Sequence, residues 1–99
     1  RRMIDEGLPI ALASDYNPGS TPSGDMKFIM SLACIKMRLL PEEAFNAATL
    51  NGAAAMGLSD EYGSIAVGKQ AKLILTTSIP SLAYLSYAYT SPLIREMIL

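Results

Sequence analysis

The chain has 99 residues, 51% of them hydrophobic and only 17% charged, with a net charge of −1. That length bounds it to one compact domain at most, and the low charge leaves apolar surface suited to packing against something else. With eight basic and nine acidic residues and no block of like charge, nothing points to nucleic acid or an anionic membrane surface. No apolar run approaches the roughly 20 residues of a membrane span, and a lone cysteine, Cys34, suits a reduced, cytoplasmic setting.

Arg1 to Gly7 reads as the end of a helix closed by a C-terminal glycine, without its start. The expectation is a piece of a longer protein. Leu8-Pro9-Ile10-Ala11-Leu12-Ala13-Ser14 is a short, continuously apolar run, the pattern of a strand covered on both faces, as parallel strands are in α/β proteins. It feeds Asp15-Tyr16-Asn17-Pro18-Gly19-Ser20-Thr21-Pro22-Ser23-Gly24, too rich in Pro, Gly, Ser and Asn for regular structure.

From Asp25 to Arg38, Met26, Ile29, Met30, Ala33 and Met37 recur at helical spacing, with Ser23 as the expected N-cap and Asp25 near the positive end of the helix dipole. Leu40-Pro41-Glu42-Glu43 opens a second helix, with Pro first and acids in the first turn, packing through Ala44, Ala47 and Ala48. A short helix over Ala53 to Met56 ends at Gly57, and its alanines imply close approach to another element.

Past Gly57 the pattern becomes turns feeding β-strands at Gly63 to Ile65, Val67 to Lys69 and Lys72 to Thr77. Leu82 to Tyr89 is ambiguous between helix and strand, and Ile94 to Leu99 fits a last strand. The composition shift sets a boundary: an α/β part over residues 1–57 and a small β part over residues 58–99.

A carboxylate directly after a buried strand faces the active site in β/α barrels, and Asp15 holds that position. It could bind a metal ion, accept a proton from metal-bound water, or do both; equally, it could brace the loop through backbone N–H groups. Pro18 to Thr21, shortly before a helix, can offer N–H groups and hydroxyls to an anion, with the dipole behind them. An ordinary capped loop accounts for the same residues, and no Gly-Lys-Ser/Thr follows to make a phosphate loop of the Walker type. The tyrosines at 84, 87 and 89, interleaved with Leu82 and Leu85, read as packing.

Taken together, Ile10 to Ser20 resembles the imidazolonepropionase family at and after the eighth barrel strand, where "ALATD-x-NPGS" recurs. Leu40 to Ala44, Ala48 to Ala54, Gly63-Ser64-Ile65 and Gly68-Lys69-Gln70-Ala71 are similar to the C-terminal pattern of metal-dependent amidohydrolases in general. The resemblance implies the C-terminal fragment of a (β/α)8 barrel, its last strand and helices, plus part of the small flanking β-sandwich domain. It implies a parent that hydrolyses 4-imidazolone-5-propanoate to N-formimino-L-glutamate in histidine degradation, with one zinc or iron ion. By the same resemblance Asp15 is the metal-site and water-activating carboxylate, and Asn17, Gly19 and Ser20 hold the substrate's propionate.

The chain departs from that family in having no histidine, in Ala71-Lys72 where Ala-Asp is usual, and in Ala88-Tyr89-Thr90-Ser91 where a His-bearing stretch is expected. The fragment is therefore expected to be inactive by itself, with a homodimeric parent and with self-association possible for the isolated piece. Two other readings remain: a different amidohydrolase, such as a deaminase or cyclic-amide hydrolase, and a small non-catalytic interaction module.

Overall fold

The computed structural model describes all 99 residues and shows a mixed α/β chain of five helices and two strands: α1 (Arg2–Asp5), α2 (Met26–Lys36), α3 (Pro41–Ala48), α4 (Leu50–Ala55), β1 (Leu73–Thr76), α5 (Ala83–Tyr87) and β2 (Ile94–Ile98). No helix is long and apolar enough to cross a membrane.

The helix endings follow the residues that the chain supplies there. After α1 the Gly7 and Leu8 N–H groups donate to Ile4 and Met3, and after α4 those of Gly57 and Leu58 donate to Ala54 and Ala53. Both pairs form the crossed closure that satisfies the last helical carbonyls. At the start of α2 the cap is Asp25, whose carboxylate accepts from the Lys27 N–H at 2.9 Å, while the Ser23 hydroxyl accepts one residue earlier, from the Asp25 N–H. This corrects the expected Ser23 cap: a carboxylate is the stronger acceptor for the free amides of a first turn. Leu40 has no acceptor for α3, and the Glu43 carboxylate instead reaches back to the Leu40 N–H at 2.8 Å, half of a capping box.

Packing centres on α2 and α3. Met30, Ala33, Leu39 and Ala44 form a buried cluster, with Ile4, Ile10, Leu12, Cys34, Phe45 and Ala48 packed around it. Ala33, Ala44 and Ala47 are fully enclosed. Met37, expected on the apolar stripe of α2, is exposed, because it lies past the last turn, at the C-cap. The helix α5 settles the ambiguous segment as helical and packs on α2 and α3, burying Leu85 and Ser86.

The segment from Leu8 to Ser14 is extended but forms no strand. Its backbone is tied at two points, the Leu12 N–H to the Ala47 carbonyl at 3.0 Å and the Ile10 carbonyl to the Asn51 carboxamide at 2.7 Å. Ile10 and Leu12 turn toward the helices while Ala11 and Ala13 face outward. The expected cover on both faces is thus absent: no second extended segment lies beside this one to complete a ladder. Farther on, Ile65 to Lys69 makes turns without strands, and β1 pairs antiparallel with β2, Leu73 opposite Ile98 and Thr76 opposite Ile94, with an irregularity after Leu75. Every residue of β2 is exposed.

Close approach at the alanine-rich helix is real, and it falls on Gly63. With φ at +95°, Gly63 sits where a Cβ would come within 2.7 Å of the Ala53 Cβ and 3.1 Å of the Thr49 carbonyl. Gly63→Ala is expected to lower stability by about 1–3 kcal/mol through strain and overpacking together, read as a lower urea midpoint; an unchanged midpoint would contradict the contact.

Arg1 ties α1 to the start of α3. Its guanidinium donates to both Glu43 oxygens, at 2.5 and 2.9 Å, to Asp5 at 2.9 Å and to the Arg38 carbonyl at 3.1 Å. Those bonds from Arg1, helped by the Leu40 N–H, hold the Glu43 carboxyl down at about 2, below its ordinary 4.5. A carboxyl whose folded value is depressed contributes stability above its unfolded value and loses it as pH falls. Between about pH 4.5 and pH 2 the chain should therefore lose more stability than its Glu43→Gln variant does, measured by urea unfolding at pH 6 and pH 3; equal losses would show that the pair contributes nothing.

Candidate functional site

The extended segment ends at Asp15, whose φ of +49° is left-handed, a conformation uncommon for a residue with a side chain and more accessible to Asp and Asn than to others. Strain of this kind persists where neighbouring groups hold it. Here the neighbour is Asn17, whose Nδ2 donates to the Asp15 carbonyl at 2.8 Å and to the Asp15 carboxylate at 3.2 Å.

The same side chain organises the rest of the loop. Asn17 Oδ1 accepts from the Gly19 and Ser20 N–H groups, both at 2.8 Å, and the Asn17 N–H donates to the Thr21 carbonyl at 3.0 Å. Pro18 at the second position of this turn fixes its φ and leaves no donor unmatched. Asp15, Asn17, Gly19 and Ser20 are therefore one hydrogen-bonded unit at the end of the extended segment, exposed apart from the half-buried Asn17.

Two parts of the expected anion site differ in the structure. The Gly19 and Ser20 amides are already engaged by a carboxamide oxygen, which takes the place that a carboxylate oxygen would have. The first turn of α2 already carries the Asp25 carboxylate, so the helix dipole is complemented from within the chain. Ser20 is exposed.

The residues present do not build a metal centre. The chain has no histidine, and no three His, Cys, Asp or Glu side chains converge anywhere in it, whereas metal sites of the hydrolytic kind take three protein donors. Asp15 is a single oxygen donor. Cys34 is half-buried with its Sγ 4.0 Å from the Ser86 hydroxyl, far along the helix from the loop.

A cavity of about 840 Å³ does not include the loop. It runs along the outward face of the extended segment, between α3–α4 and β1, with Ala11, Ala13, Phe45, Met56, Ile65 and Leu73 among its walls. Its walls are mostly apolar, with Tyr62 and Lys72 as their titratable side chains.

Sequence reasoning missed the groups that aim the loop. Asn51 holds the Ile10 carbonyl across 41 residues of chain, and Lys27 donates to the Ser91 carbonyl at 2.8 Å, pinning the final stretch beside the start of α2. No local pattern marks either, since a carboxamide or ammonium reaching a distant carbonyl leaves no trace in spacing. Asp25 as cap was legible from its place two residues before the Lys27 amide.

A sequence profile of the amidohydrolase family matches residues 1–92, and the chain belongs to that family. Its curated relatives include the imidazolonepropionase of Flavobacterium johnsoniae, 58% identical over all 99 residues, and that of Christiangramia forsetii, 58% identical over 89 residues, 90% of this chain. The imidazolonepropionase of Alkaliphilus metalliredigens is 46% identical over 89 residues. The chain spans 24%, 22% and 21% of these three relatives respectively, less than a quarter of each.

If Asn51 is the tether that aims the loop, Asn51→Ala should cost about 1 kcal/mol of stability and speed amide exchange at Leu12 more than in α2. Exchange at Leu12 unchanged from the parent would sink that role.

Proposed function

We propose that this chain is part of an imidazolonepropionase and supplies one wall of its active site, in an enzyme that hydrolyses 4-imidazolone-5-propanoate to N-formimino-L-glutamate in histidine degradation. The observation that carries the reading is the ordered turn from Asp15 to Ser20 at the end of an extended segment, in a chain 45–58% identical to imidazolonepropionases. Asp15 is the catalytic residue of this reading: its carboxylate takes the proton of the attacking water, whose oxygen bonds to the ring carbonyl carbon, and returns it to the ring nitrogen as the C–N bond breaks. Asn17, Gly19 and Ser20 form the loop that meets the substrate's propionate, with the Ser20 hydroxyl as the open donor.

Within this reading residues 1–57 are the end of the barrel and residues 58–99 belong to the small β domain, supported by the confinement of both strands to the second part. Metal dependence is general in the amidohydrolase family, and zinc or iron would draw at most one donor, Asp15, from this chain. The exposure of Ile65, Val67, Tyr87 and Leu99 supports a larger surface against which the chain packs, and supports self-association when it is isolated. For these reasons the 99 residues alone have no activity in this reading.

The experiment is an assay of ring hydrolysis with the full-length protein, its Asp15→Asn variant and the 99-residue chain. The expected outcome is activity in the first, a loss of roughly 100-fold or more in the second, within the range that a proton-transfer group supplies, and none in the third. A full-length protein inert toward this substrate but active on a purine or another cyclic amide would overturn the substrate and leave only the family.

A further inference from the structure

We propose that the turn at residues 88–91 is a clamp that sets where the propionate-binding end of the loop sits, with Lys27 as the positioning residue that joins the two. The inference rests on the proposed roles of Asn17, Gly19 and Ser20 toward the substrate's propionate. It goes beyond them by assigning what holds that end of the loop in place relative to Asp15.

The loop leaves from one support and returns to another. Asp15 follows a segment tied to α3 through the Leu12 N–H and to α4 through the Asn51 carboxamide. At the far end the chain runs through Ser23, whose hydroxyl accepts from the Asp25 N–H, and through Asp25, whose carboxylate accepts from the Lys27 N–H. These bonds lead directly into the first turn of α2. Asn17 gives the loop its internal order, but where Gly19 and Ser20 lie relative to the support of Asp15 depends on where that first turn is held.

Two contacts hold it. Lys27 Nζ donates to the Ser91 carbonyl at 2.8 Å, across 64 residues of chain, and the Phe28 and Tyr89 rings meet with centroids 5.5 Å apart and planes tilted by 45°. Lys27 is half-buried and forms no ion pair, so the Ser91 carbonyl is the acceptor that draws its ammonium inward. A cleft of about 450 Å³ runs along the rest of this seam, between Ser23, Asp25 and Thr90, so the two sides are not held by close packing there. The turn is itself rooted on both sides: the Ser91 N–H donates to the Ala88 carbonyl at 3.0 Å, just after α5, and the Leu93 carbonyl accepts from the Thr77 N–H at 2.9 Å, just after β1. A cationic donor on a carbonyl fixed in this way is a stronger tie than a neutral pair.

Lys27→Met keeps the length and the apolar stem of the side chain and removes the donor, whereas Lys27→Arg keeps a cationic donor. In the full-length protein Lys27→Met should raise KM roughly tenfold, the effect of one charge-assisted hydrogen bond. Its kcat should stay within about twofold of the parent, because Asp15 keeps its own support, and Lys27→Arg should restore most of the lost affinity. Amide exchange over residues 21–29 of the full-length protein should accelerate in Lys27→Met and stay at the parental rate over residues 10–14. An unchanged KM, a fall in kcat without a rise in KM, or a uniform acceleration of exchange along the chain would overturn the proposal. Should the full-length parent be inert toward imidazolone propionate, the substrate reading fails, and the exchange comparison still decides whether Lys27 holds the far end of the loop.

Discussion

The arrangement depends on the contact between α2 and α3 through residues with almost no side chain. Ala33 and Ala44, both fully buried, let the two helices close on Met30 and Leu39, and dispersion across so tight a contact falls off within an ångström of separation. Only 11 of 99 residues are buried, so there is little other apolar burial to compensate for a loss there. The extended segment lies on this pair through Ile10 and Leu12, α5 lies on it through Leu85, and α1 is bound to it by Arg1 and Glu43.

That base explains why an exposed loop can be ordered. Two backbone tethers, at Ile10 and Leu12, fix the segment on the helices, so Asp15 leaves it from a defined point. From there the order is local, built by one carboxamide. The loop is held by short hydrogen bonds to its own backbone and not by burial, which leaves its surface open to a ligand and its geometry dependent on a single residue.

The chain has more apolar surface than its own fold encloses. The outward face of the extended segment, the 840 Å³ groove beside it and the fully exposed β2 belong to a chain that spans less than a quarter of the length of its curated relatives. A sheet edge with free N–H and C=O groups is incomplete in water unless paired or covered. The loop likewise presents one exposed carboxylate and one exposed serine, and no three potential metal donors converge in the chain.

Local patterns in the sequence were sufficient for α2 and α3, the chain closures at Gly7 and Gly57, the strand patterns around Leu73 and Ile94, and the density of turn formers between Asp15 and Gly24, whereas α4 begins at Leu50, three residues before the expected Ala53. The helices, closures and turn formers are set by neighbours within five residues, where spacing and turn chemistry act. Resemblance in the same loop marked Asp15, Asn17, Gly19 and Ser20 as a unit. Tertiary structure decided what those patterns cannot carry. It left Leu8 to Ser14 without a ladder, folded Ala83 to Tyr87 as a helix against α2, and tied the loop's base through Asn51. These depend on groups dozens of residues apart meeting in space, and a strand in particular exists only when a partner supplies the other half of its hydrogen bonds.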